Sequence, residues 1–83
     1  MKNGFKIRRL IKEFNNIDNE AGYAEMMFYK TKDKEEKEEY SFEIDYCESR
    51  QFDIGTEIKK LEPSKYMLDK YDELEHIISN YAY

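Results

Sequence analysis

Glycine and proline are scarce in this chain of 83 residues, three and one respectively, and there is one cysteine, one histidine and no tryptophan. Each scarcity excludes something. The three glycines, at 4, 22 and 55, are too far apart to form a G-x-x-x-x-G-K or G-x-G-x-x-G phosphate loop, and neither pattern occurs. Cys47 alone cannot form an intrachain disulfide or a thiolate metal cluster, and is read as a small half-buried hydrophobe. His76 has only Glu73 and Glu75 beside it on a helical segment, which marks a surface residue rather than a general base. Ser41, Ser49, Ser64 and Ser79 lie outside any nucleophile-elbow context. No apolar run approaches the roughly 18 residues of a membrane-spanning helix. The opening MKNGFKIRRLIKEF places charges inside its apolar run, which is unlike a secretory signal and points to the cytoplasm.

Bulk is present in another form. Eight tyrosines and five phenylalanines make 16% of the chain aromatic, despite a mean hydropathy of −1.01. A disordered acidic chain would lack them, so residues 1–83 are expected to fold as one small domain. The net charge of −5 is unevenly placed. Residues 1–17 hold five basic groups against Glu13, and the remainder is strongly acidic. Such a balance argues against general nucleic-acid binding, which needs clustered cations.

The pattern along the chain predicts an α+β fold. Ile7, Leu10, Ile11, Phe14 and Ile17 form one helical stripe, with Asn3 as its cap and the asparagines at 15, 16 and 19 as its end. The segment 23–30, YAEMMFYK, reads as a strand. The segment 40–48, YSFEIDYCE, alternates with period two: Tyr40, Phe42, Ile44 and Tyr46 inward; Ser41, Glu43, Asp45 and Cys47 outward. The charged stretch between them, KTKDKEEKEEY, is then a hairpin tip near Asp33–Lys37, with a long helix through 31–39 as the alternative. Residues 50–55 offer a short third strand, and 56–62 fit either strand or helix. Ser64 caps a final helix whose stripe is Met67, Tyr71, Leu74, Ile78 and Tyr81. The expected order is helix, three-stranded antiparallel sheet, helix, with both helices on one sheet face.

No catalytic constellation, cofactor motif or metal-ligand spacing emerges, and the chain is read as a non-enzyme. The candidate site is the outward strand surface: Glu43 and Asp45, continued by Asp53, beside Glu25 flanked by Tyr23, Met27 and Tyr29. Carboxylates interleaved with tyrosine and methionine suit docking on a cationic protein groove. The leading functional expectation is a small acidic inhibitor or adaptor that blocks the basic surface of a nucleic-acid-handling enzyme. Phage anti-defence proteins, anti-CRISPR inhibitors among them, are analogous in size and class. The alternatives are a homodimeric structural module, with the two-faced first strand buried between subunits, and a nucleic-acid accessory protein using Arg8, Arg9 and Lys12.

Overall fold

A computed structural model describes residues 3–83, and among them every regular element is a helix. Two helices of 27 residues dominate: α1 (Gly4–Lys30) and α2 (Lys34–Lys60). Residues 31–33 join them, so they lie antiparallel as an α-hairpin. Two short helices, α3 (Lys65–Lys70) and α4 (Asp72–Asn80), pack on its open end. The result is an elongated body of 49 × 20 × 19 Å.

This overturns the α+β expectation. The segments 23–30, 40–48 and 50–55 are helical, no strand exists among the described residues, and the helix through 31–39 begins at Lys34. The physical reason lies in which periodicity has a partner to bury against. The α1 stripe does not stop at the asparagines. It runs on through Ala21, Ala24 and Phe28, and Ala24 is fully buried. In α2, Tyr40, Ile44, Cys47, Gln51, Ile54 and Ile58 step by four and three, one face of a helix. The period-two pattern of 40–48 shares Tyr40 and Ile44 with that stripe. Cys47 decides between the two: a strand would turn it outward and leave it half-buried, but it is 1% exposed and continues the helical stripe to Ile54 and Ile58, which are almost wholly enclosed. The inward role assigned to Phe42 and Tyr46 is likewise wrong: they are 76% and 66% exposed.

The helix ends are specified locally. Asp33 accepts a hydrogen bond from the Glu35 backbone N–H at 2.9 Å, and Glu35 and Glu36 occupy the positive first turn of α2. Thr31 adds a hydroxyl hydrogen bond to Glu36 across the connection. Lysines and glutamates, good helix formers, fill 34–39. At the other end Glu62 adopts a left-handed conformation (φ 50°) and Pro63 follows, which stops α2. Ser64 accepts from the Met67 N–H at 3.3 Å and starts α3, as its sequence position implies. Asn3 stands at the α1 N-cap position, but its side chain donates to the Leu61 carbonyl at 3.3 Å and ties the two ends of the hairpin together. The single C-terminal helix expected from 64 onward is two, broken at Tyr71, whose backbone is extended.

The core sits at the open end. Ile7, Ile11 and Phe14 from α1 meet Ile54 and Ile58 from α2, Met67 from α3, and Leu74 and Ile77 from α4. Burying each such aliphatic side chain stabilises by about 1.5–3 kcal/mol. The C-terminal residues strap across α2. Tyr81 packs between Phe14 and Phe52, at ring separations of 5.0 and 5.5 Å. The Tyr83 N–H donates to the Thr56 hydroxyl at 3.1 Å. The strap needs Gly55, because a Cβ there would stand 1.9 Å from the Tyr81 carbonyl oxygen.

Gly22 and Gly55 therefore separate two effects. Gly22 lies exposed in mid-α1, and a Cβ would meet nothing within 4 Å. Gly22→Ala should stabilise the protein by about 0.5–1 kcal/mol through helix propensity alone. Gly55→Ala should destabilise it by roughly 1–3 kcal/mol by expelling the strap. Urea denaturation of both variants checks this, and equal shifts of the same sign would contradict the described fold.

Candidate functional site

Beyond Ile17 the hairpin leaves its support. Between residues 18 and 46 only Ala24 is buried, whereas 47–60 buries Cys47, Gln51, Ile54, Gly55 and Ile58. Residues 20–46 thus form a two-helix arm standing on the four-helix base. The arm holds nine carboxylates and four lysines, a net −5. That equals the formal charge of the entire chain, so the base is neutral overall. The arm also carries five of the most exposed large apolar or aromatic side chains: Tyr23 at 58%, Met26 at 52%, Tyr29 at 76%, and Phe42 and Tyr46.

Helical geometry redistributes the residues that a strand would have aligned. Tyr23 and Met27, four apart, share one side of α1; Glu25 and Tyr29 share another. Glu43 joins the Tyr23 side across the hairpin. There partial burial, followed by the charges of Tyr23, Glu36, Glu43 and Glu39, raises the Tyr40 hydroxyl above its ordinary pKa. Asp45 borders a shallow depression with Glu38, Ser41 and Phe42. Asp53 lies two turns further along α2, exposed. The single acidic strand face of Glu25, Glu43, Asp45 and Asp53 therefore does not exist as a unit. The seven residues Tyr23, Glu25, Met27, Tyr29, Glu43, Asp45 and Asp53 are all at least partly exposed, and all but Asp53 belong to the arm.

Sequence reasoning missed Met26, Phe42 and Tyr46 as surface, and Glu35, Glu38 and Glu39 as members of the acidic arm. The signal was available in the four-three steps from Tyr40 to Ile58, which place Phe42 and Tyr46 opposite the buried stripe.

The basic residues of α1 divide. Lys6 reaches Glu57 at 3.4 Å, an internal pairing across the hairpin. Arg8 lies 6.0 Å from the Phe5 ring centroid, and Arg9 and Lys12 are exposed. Lys2 falls outside the described residues. Glu13 pairs with Arg50, and Gln51, buried in the seam, donates to Asp18 at 3.2 Å. Gln51 is the buried polar side chain of the seam, and its hydrogen bond to Asp18 satisfies it there.

Among the described residues no group of three or more histidine, cysteine, aspartate or glutamate side chains is placed to hold a metal ion. His76 is exposed, its Nδ1 3.1 Å from the Asn80 amide nitrogen. The recess lined by Gly4, Ile7, Leu61 and Met67 measures about 150 Å³ and contains no convergent set of titratable groups. No described helix is long and apolar enough to cross a membrane. Compared with protein families, curated proteins and solved structures, the chain finds no match. The fold alone defines its class: an α-hairpin with a two-helix cap.

Cys47 marks the junction of arm and base. It is 1% exposed, and burial, then Glu20 and Glu43, push its thiol pKa up. A thiol held neutral and enclosed is a poor nucleophile. Alkylation by iodoacetamide at neutral pH should be at least about 100-fold slower in the native protein than in urea, through local opening. Native and unfolded rates of similar size would mean that the seam at Cys47 is open.

Proposed function

We propose that the protein is a non-catalytic inhibitor or adaptor that docks its acidic arm on a cationic surface of a protein partner. The observation that carries this reading is the concentration of the chain's whole net charge, and of five exposed apolar or aromatic side chains, on two helices that the base leaves uncovered. Aromatic anchors supply contact area, and carboxylates steer a basic surface into register. A surface built to hold phosphates is a fitting target, because carboxylates present acceptor oxygens to the same lysines and arginines. The partner class this favours is a basic, nucleic-acid-handling enzyme, the setting in which small acidic viral inhibitors act. Direct nucleic-acid binding by the arm is disfavoured by its sign.

A photo-crosslinking residue at Phe42, compared with one at Tyr66 on α3, tests the reading in nuclease-treated lysate. The arm probe should capture a cationic protein in 50 mM salt and lose most of it by about 500 mM, where charges further apart than a few ångströms are screened. Reversing Glu43 and Asp45 to Lys should slow that association about tenfold or more with unchanged melting, because both side chains are exposed. Capture from Tyr66 alone, or capture that needs intact nucleic acid, would move the working surface to the base and to Arg8, Arg9 and Lys12.

A further inference from the structure

The two long helices expose outer faces of opposite charge. Opposite the buried stripe of α1, Lys12, Asn16, Asn19, Tyr23 and Lys30 form one exposed stripe with no carboxylate in it, Tyr23 at its margin toward Tyr40 of α2. Opposite the buried stripe of α2, Glu35, Phe42, Tyr46, Ser49 and Asp53 form another, itself without a cation from residue 35 to residue 53, and Lys60 follows one step beyond Asp53. Arg50, at its margin, is engaged with Glu13. The α1 stripe steps by 4, 3, 4 and 7 residues; the α2 stripe, read backwards from Asp53, steps by 4, 3, 4 and 7. Two antiparallel helices laid side by side meet in reversed order. One register therefore sets Lys12 against Asp53 and Lys30 against Glu35, with Tyr23 on Phe42 between them. The same register brings Asn19 to Tyr46 and Asn16 to Ser49.

We propose that a second copy of this chain occupies these faces: α1 of one molecule lies antiparallel along α2 of the next. The internal ion pairs give the level of that contact. Glu13 stands level with Arg50 and Lys6 with Glu57, so Lys12 is offset from Asp53 by only two residues. That is about 3 Å along the axis. A copy shifted sideways with almost no rise satisfies every pairing. Tyr23 and Phe42, 58% and 76% exposed in the single molecule, then cover one another.

Size and symmetry decide the form of the association. The stripe from Lys12 to Lys30 is roughly 28 Å long and one helix wide. That is far smaller than the roughly 800 Å² per partner of a stable dimer, so each contact is weak and sensitive to salt. The two faces lie on opposite edges of the hairpin, so the contact is heterologous. It leaves one free face at each end and adds copies rather than closing on two. The inference goes beyond the docking proposal, because the cationic counterpart of the α2 face is the chain's own α1. At the end of a stack, the free α2 face stays open to a foreign basic surface.

Sedimentation equilibrium of the purified chain in low salt is the test. The average mass should rise steadily with concentration toward about 1 mM, without a plateau at two copies, and fall to the monomer at about 500 mM salt. Lys12→Glu with Lys30→Glu should abolish the rise, and so should Glu35→Lys with Asp53→Lys. Mixing those two variants should restore it, since each then supplies the face the other has lost. Phe42→Ser, which alters no charge, should weaken the rise at least about threefold with unchanged melting. A wild type that stays monomeric up to about 1 mM in low salt, a mass that levels off at two copies, or a mixture no heavier than its components would each overturn the proposal. None of these results bears on capture of a foreign protein from lysate, so the two proposals stand or fall separately.

Discussion

The seam between α1 and α2 is the contact on which every other feature depends. Two helices of 27 residues, each about 40 Å long, are held by one apolar stripe from each and by the polar contacts Glu13–Arg50 and Gln51–Asp18. In proteins most of the stability of an amphipathic helix comes from packing its apolar face, and here the stripe supplies it. The turn is short and firmly specified by Asp33 and Thr31, which leaves the helices no choice but to pair. Once paired, they align Ile7, Ile11, Phe14, Ile54 and Ile58 into a platform, and α3, α4 and the Tyr81–Tyr83 strap close it.

The same seam divides the molecule into unequal halves. The base buries large aliphatic residues from four helices, while the arm fully buries only Ala24. The arm is therefore the part with least apolar burial per residue and the first expected to open. It is also the part that holds the net charge and the exposed aromatics. Self-repulsion among nine carboxylates works against compactness there, and the four lysines offset it only partly. Residues that weaken a free arm in this way are intelligible if the arm is completed by something outside it: a cationic partner, or the opposite face of another copy. Both proposals draw on this one asymmetry and differ in who supplies the cations.

Much of the base was legible in the sequence, and the arm was not. The stripe from Ile7 to Ile17, the Ser64 cap and the C-terminal pattern around Leu74 were readable because their apolar spacing fits only a helix. The arm segments were ambiguous for a physical reason. In 40–48 the period-two set mixes Tyr40 and Ile44, which face the seam of a helix, with Phe42 and Tyr46, which lie on its surface. Exposed aromatic residues look, in sequence, like residues buried for stability. Phe42 and Tyr46 thus made a surface resemble a core and a helix resemble a strand. The acidic character of the region was visible from composition. The grouping of Glu25, Glu43, Asp45 and Asp53 was not, because a wrong period assigns every side chain to a wrong face. Gly55 carried no local signal at all. Its role depends on the C-terminal backbone, 26 residues away in sequence.

The central claim, that α1 continues as one rigid helix from base to arm, is tested most directly by a distance. Arg9 and Glu25 are both exposed, lie outside the proposed self-association stripes and are separated by 16 residues. Spin labels on cysteines at those positions, in a Cys47→Ala background diluted with unlabelled protein, report that separation by pulsed electron resonance. An unbroken helix predicts a narrow distribution centred near 24 Å between backbones. A broad distribution, or one centred below about 15 Å, would mean that the chain turns back after the asparagines, and the arm described here would not exist.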